Sequence, residues 1–174
     1  MLFAGINPGL RSAATGHHFA GCSNRFWKLL ADSGLVPEPL TYEDDHRLPA
    51  WGLGITNLVA RPTAGVNDLR PGEMVAGWQA LEVKVATYRP RILALVGVTV
   101  YRVIQPLLPG ASGAPVRGLA TSGSRAPVLG LRPETIHGAQ VFVVPNPSGR
   151  NAHFSYTEML LMFRELKRSV VEST

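Results

Sequence analysis

Four short β-branched or apolar runs constrain this chain most: Leu2–Ile6, Gly54–Val59, Ile92–Val96 and Val141–Val144. A strand with one wet face alternates apolar and polar residues; these runs do not alternate, so both of their faces must be covered. Helical periodicity fills the gaps between them. Ser23 or Asn24 is placed to cap a helix carrying Phe26, Leu29 and Leu30 on one face, stopped near Gly34. Met74, Trp78, Leu81, Val85 and Tyr88 recur at helical spacing before Arg89-Pro90. Ser155-Tyr156-Thr157-Glu158 has the spacing of a capping box and opens a helix with Leu160, Phe163, Leu166 and Val170 inward. Strands alternating with helices predict an α/β fold, a three-layer α/β/α sandwich around a mainly parallel central sheet.

The length, 174 residues, suits a single domain spanning 1–174. Lys and Arg number 17 against 12 Asp and Glu, so the net charge of +5 permits a polyanionic partner without requiring one. A lone cysteine, Cys22, excludes an intramolecular disulfide and a cysteine-rich zinc site. No apolar run reaches membrane-span length, and no basic region followed by an apolar core opens the chain, so a cytoplasmic protein without a membrane partner is expected. The first apolar run begins at Leu2, which leads to the expectation of a preceding extension. Two stretches read as loops. Pro37–Pro49 is acidic, with Glu43, Asp44 and Asp45 together, and Gln105–Gly138 is rich in Gly, Pro, Ser and Ala. The second is too long for an ordinary connection and reads as a surface insertion at about 105–138.

The chemistry lies in a near-repeat at two strand ends. Gly5-Ile6-Asn7-Pro8-Gly9 follows the first apolar run, and Pro145-Asn146-Pro147-Ser148-Gly149 follows the last. Parallel strands end on one edge of the sheet, where doubly wound folds bind ligands. Proline keeps the preceding asparagine extended, so its amide is aimed, and glycine admits a ligand close to the backbone. One copy is ordinary turn chemistry; two at matching ends point to a site. Thr15-Gly16-His17-His18-Phe19 overhangs the same edge, with Phe19 either stacking on a flat ligand or anchoring the loop in the core. Adjacent His17 and His18 without a third ligand make a poor metal site, and none is expected. Asp68 follows Arg61-Pro62-Thr63-Ala64-Gly65-Val66-Asn67 and either faces the site as a general base or caps the next helix. No Walker, GxGxxG, HExxH or GxSxG motif is present. What remains is a pocket of amides, backbone N–H groups and one ring, suited to a leaving group that departs as a stabilised anion.

These blocks resemble those of the mismatch-specific uracil-DNA glycosylases, the bacterial relatives of thymine-DNA glycosylase. The likeness lies in Gly5-Ile6-Asn7-Pro8-Gly9-Leu10, Thr15-Gly16 with Phe19, Asn24-Arg25-Phe26-Trp27-Lys28, Arg61-Pro62-Thr63 and Pro145-Asn146-Pro147-Ser148-Gly149. It implies a base-flipping pocket that hydrolyses the N-glycosidic bond of uracil in mismatched double-stranded DNA, without cofactor or metal, and acts as a monomer. Thymine, damaged pyrimidines and single-stranded DNA are the wider substrate readings, and a non-catalytic nucleic-acid-binding module is the alternative.

By the same resemblance, Asn7 positions the attacking water and Phe19 stacks on the flipped base. Ile6, Pro8, Gly9 and Asn146 complete the substrate pocket, Asn146 supporting the departing anion. Ser148, Gly149, Arg150 and Asn151 enter the DNA, with Arg150 standing where the familiar relatives carry an apolar wedge. Arg11, Arg25, Lys28, Arg61 and Arg150 are the candidate phosphate contacts, of which Arg150 is retained. Positive charge is expected around Asn7, Phe19 and Arg150, with Glu43–Asp45 facing away.

Overall fold

A computed structural model describes residues 1–108 and 128–172. Five strands form one sheet: β1 (Leu2–Gly5), β2 (Gly54–Asn57), β3 (Ile92–Val96), β4 (Gly130–Ile136) and β5 (Ala139–Val144). Their order is β2-β1-β3-β5-β4, parallel except for β4, which runs antiparallel to β5. The helices are α1 (Leu10–Thr15), α2 (Phe26–Asp32), α3 (Pro71–Tyr88), α4 (Val98–Ile104) and α5 (Tyr156–Glu172).

The apolar runs serve two cores at once, because successive side chains of a strand leave opposite faces of the sheet. Ala4, Leu93, Leu95, Val141 and Val143 pack beneath α3 and α4 with Trp78, Leu81 and Tyr101. Phe3, Ile92, Ala94, Phe142 and Val144 pack beneath α2 and α5 with Phe26, Leu30 and Phe163. Helices on both faces of a mostly parallel sheet make the α/β/α arrangement predicted above.

Local signals set most helix ends. Asn24 Oδ1 accepts the Phe26 N–H at 3.0 Å, and the Ser155–Glu158 capping box forms reciprocally at 3.3 and 2.7 Å. Along α3 the inward face is Met74, Trp78, Leu81 and Val85, whereas Tyr88, the last residue of the helix, is 76% exposed and not part of that face. On α5 Phe163 and Leu166 are fully buried, Met159 joins them, and Leu160 and Val170 are only half-buried.

Three expectations are corrected. A helix that the sequence reading lacks, α1, precedes the Gly16–Phe19 loop, and the acidic Pro37–Pro49 stretch overlaps a 3₁₀ helix, Tyr42–Trp51. Part of the expected insertion is edge strand β4, joined to β5 through His137 (φ 47°) and Gly138 (φ 83°), the paired left-handed residues a tight hairpin turn requires. Pro133 disguised it; proline is tolerated at an edge, and the register shifts between Leu131 and Thr135 around it. Residues 109–127 of that stretch lie outside the described residues.

Candidate active site

The carboxyl ends of β1, β2, β3 and β5 open into a cleft of about 710 Å³. It is lined by Ile6, Asn7, Pro8, Gly9, Phe19, Asn146, Ser148 and Arg150 from the sequence-derived set, and by His17, His18, Asn57 and Thr63. The two Asn-Pro turns therefore meet on one cavity, flanking the end of β3. At that end Gly97 adopts φ 108°, and a Cβ there would stand 3.4 Å from the Asn146 Cβ.

Asn7 is held by one side of its amide. Its Nδ2 donates to Thr63 Oγ1 at 2.7 Å, to the Arg61 carbonyl at 3.1 Å and to the Pro8 carbonyl at 3.3 Å. Two of these acceptors are carbonyls, so nitrogen must face them. The third is acting as an acceptor too, since the Thr63 hydroxyl donates to the Gly65 carbonyl at 2.7 Å. Asn7 Oδ1 has no protein partner among the described residues and is left as a fixed acceptor. Thr63 is itself buried and bridged to Gly9, its N–H donating to the Pro8 carbonyl at 3.2 Å.

Asn146 has the complementary polarity. Its Oδ1 accepts the Ser148 N–H at 3.0 Å, and its Nδ2 has no protein partner among the described residues. The Asn151 amide holds the Asn146 carbonyl at 2.8 Å, and the Arg150 N–H reaches Ser148 Oγ at 3.3 Å. This loop is seated on the start of α2. Arg25 N–H donates to the Pro147 carbonyl at 2.9 Å, and a Cβ on Gly149 would lie 2.4 Å from the Ser23 Cβ. Gly149 thus serves the loop's packing as well as its exposure.

Phe19 is half-buried: its ring stacks on Phe26 (centroids 4.1 Å apart), the anchoring alternative, and the residue also lines the cleft. Its backbone is left-handed, φ 53°, which costs a bulky residue about 1–2 kcal/mol. The surroundings hold it there. Trp27 Nε1 donates to the His18 carbonyl at 3.2 Å, so the planar peptide turns the Phe19 N–H the opposite way, where no described protein group meets it. Arg11 Nε donates to the Ala20 carbonyl at 2.8 Å, and Ala20 N–H donates to Ser12 Oγ at 3.1 Å.

Asn57 escaped sequence reading. It ends β2 opposite Gly5, and a Cβ on Gly5 would fall 2.7 Å from Asn57 Oδ1 and 3.6 Å from the Phe19 ring. Glycine is what lets that amide and ring close over the strand end. The signal was present: Asn57 interrupts an apolar run at the same edge as Asn7 and Asn146.

Asp68 does not line the cleft, and neither does it cap the next helix: its Oδ2 accepts the Gly65 N–H at 3.0 Å, closing the short 3₁₀ turn Val66–Asp68, while Glu73 takes the Arg70 N–H at the start of α3. Nor is the acidic stretch turned away as expected. Asp44 is engaged by Thr41 (3.0 Å) and Arg47 (3.3 Å), but Asp45 reaches His17 Nδ1 at 3.1 Å and the His18 N–H at 3.2 Å. Burial opposes ionisation of Asp45, yet the His17 and His18 hydrogen bonds hold its carboxyl below the usual range. Among the described residues no group of three or more His, Cys, Asp or Glu gathers as a metal site.

The cationic edge is thinner than expected. Arg11 and Arg150 line the cleft, but Lys28 is paired with Asp32 at 2.5 Å, and Arg61 with Glu73 at 2.6 Å. Arg61's hydrogen bonds, then the Arg70 N–H, lower the Glu73 carboxyl from the ordinary 4.5 to about 2. A depressed folded value stabilises above the unfolded one and fades as pH falls through the folded one. Thermal melts of wild type and Glu73→Gln should therefore differ fully above pH 4.5, converge as pH drops, and coincide below about pH 2.

Residues 1–167 match the model of the Uracil DNA glycosylase superfamily. A G/U mismatch-specific uracil DNA glycosylase from Schizosaccharomyces pombe is 40% identical over 160 residues, covering 88% of this chain and 45% of that protein. The chain thus spans a little under half the length of that relative. No helix among the described residues is long and apolar enough to cross a membrane. With its two Asn-Pro strand ends gathered on one cleft and the family model spanning nearly all of it, the chain belongs to the uracil DNA glycosylase superfamily.

Proposed function

We propose that this protein is a single-domain, monomeric DNA glycosylase that flips uracil from mismatched double-stranded DNA and hydrolyses its N-glycosidic bond, leaving an abasic site. The observation that carries this reading is Asn7. An amide whose nitrogen is locked by three acceptors offers its oxygen to a water in one fixed direction.

The chemistry needs no strong base. The C1′–N1 bond breaks first in the transition state, its electron pair leaving with the base, and the sugar becomes oxocarbenium-like. Asn7 Oδ1 accepts a hydrogen bond from the water whose oxygen then bonds C1′, and the water's proton passes to solvent. Asn146 Nδ2 donates to the departing uracil anion, which is protonated afterwards. Phe19 stacks on the extruded base while its N–H, with the backbone around Ile6, meets the base edge, and Pro8 and Gly9 line the pocket beside it. Ser148, Gly149, Arg150 and Asn151 enter the duplex, and the Arg150 guanidinium fills the vacated stack. A mispaired uracil costs least to extrude, which supports the mismatch preference.

Asp68 is given the turn-closing role. Asp68→Asn keeps an oxygen for the Gly65 N–H and should excise uracil within about threefold of wild type, as is usual for a surface change. The reading is tested by alkaline cleavage of oligonucleotides carrying U·G, U·A, T·G or single-stranded uracil. Fastest cleavage at U·G supports it; equal rates on single-stranded uracil replace mismatch preference with broad specificity.

A further inference from the structure

We propose that Asp45 is a positioning residue for the base-stacking wall of the cleft, acting through the His17-His18 segment to hold Phe19 in its left-handed pose. The inference rests on the glycosylase reading above and extends it to a residue about 27 positions away in the chain, on the 3₁₀ helix Tyr42–Trp51.

A carboxylate is suited to this task because it offers two acceptor oxygens and no donor. Asp45 Oδ1 takes His17 Nδ1 at 3.1 Å, which requires the proton on that nitrogen. Asp45 Oδ2 takes the His18 backbone N–H at 3.2 Å and lies 3.6 Å from His18 Nδ1. The aspartate is well shielded, its side chain 17% exposed, and the His17 ring rests 5.8 Å from that of Tyr42 on the same helix. Asp44 does not share the work, being committed to Thr41 and Arg47.

What Asp45 holds is cleft wall and, through Phe19, the margin of the α2–α5 core. His17 and His18 line the cavity and belong to neither apolar cluster. Between them and Ala20 sits Phe19 at φ 53°, a conformation that persists only while its flanks are tied. On the far side Ala20 is tied to Ser12 and Arg11; on the near side the ties are Trp27 on the His18 carbonyl and Asp45 on the His18 N–H. Removing Asp45 leaves Trp27 to hold the near side alone, so Phe19 shifts from its place beside Gly5 and Asn57 and from its stacking on Phe26 at the margin of the α2–α5 core.

The test is single-turnover uracil release from a U·G duplex by wild type, Asp45→Ala, Asp45→Asn, Phe19→Ala and the Asp45→Ala/Phe19→Ala double variant. Asp45→Ala should be slower by on the order of 10- to 100-fold, as expected for a misplaced reactant. Its Kd for the duplex should stay within about twofold, since the loss falls on the chemical step. Asp45→Asn, which keeps an acceptor for the His18 N–H, should recover most of the rate. In the Phe19→Ala background Asp45→Ala should cost nothing further, because the two act as one unit. If Asp45→Ala lacks the native circular dichroism spectrum, Asp45→Ser takes its place, being too short to reach both groups.

A wild-type rate in Asp45→Ala, or an undiminished loss in the Phe19→Ala background, overturns this inference alone. Absence of uracil release by wild type overturns the glycosylase reading and this inference with it.

Discussion

Asn7→Ala should lose at least about 100-fold in uracil excision while binding a uracil-containing duplex as tightly as wild type. A factor of 100 is about 2.7 kcal/mol of transition-state stabilisation, a reasonable share for one group that fixes the nucleophile. The size follows from how completely the residue is committed. Three acceptors hold Nδ2, and one of them, Thr63, is buried and bridged to Gly9. Nothing in that arrangement supports the sheet: Asn7 lies beyond β1, outside both apolar clusters, so truncation should leave the melting temperature nearly unchanged. Asn7→Asp separates orientation from hydrogen-bonding capacity. A carboxylate cannot donate to the Arg61 and Pro8 carbonyls, so it should also be impaired although it retains an oxygen.

The second large effect is on stability, and its sign runs against propensity. Gly77 lies inside α3, where replacing an exposed glycine by alanine ordinarily gains up to about 1 kcal/mol. Here the new Cβ would lie 2.3 Å from the Leu58 carbonyl oxygen and 2.9 Å from its carbon. Both atoms are backbone and cannot swing aside. Overpacking of this kind costs about 1–3 kcal/mol even where side chains can yield. Gly77→Ala should therefore be destabilised by about 2 kcal/mol and melt about 4–8 °C lower than wild type. Activity should fall too. Leu58 N–H donates to the Gly5 carbonyl and Val59 N–H to the Ile6 carbonyl, each at 2.8 Å, so displacement of β2's exit is passed to the turn carrying Asn7. A melting temperature at or above that of wild type would mean α3 can slide off Leu58.

The contrast between these two positions shows which features the sequence carries openly. Asn7 and Asn146 were legible because proline and glycine mark strand ends, and a repeated mark at two ends is a positional signal. Strands β1, β3 and β5 were legible because burial on both faces writes a continuous apolar run; β2, expected to be covered in the same way, is a sheet edge and only half-buried along its length. Helix α4, Val98–Ile104, was not: Val-Thr-Val-Tyr-Arg-Val-Ile is dominated by β-branched residues, poor helix formers, and burial against β3 and β5 decides its state. Edge strand β4 was hidden by Pro133 and by a face exposed to water. Gly77 is silent in sequence, since a helical glycine announces no neighbour. The His17–Asp45 and Asn7–Thr63 pairings were out of reach for a related reason. They join segments 28 and 56 residues apart, and no local pattern encodes which loop faces which. Asp68 failed differently: a turn-closing carboxylate and a catalytic one look alike until the cavity is seen.

One measurement bears on the whole account, the release of free uracil from a U·G duplex incubated with excess wild-type protein. The expected result is stoichiometric free uracil, with an abasic site that alkali cleaves at the former uracil position. Tight binding of the same duplex with no uracil released would contradict it and make the cleft a recognition module.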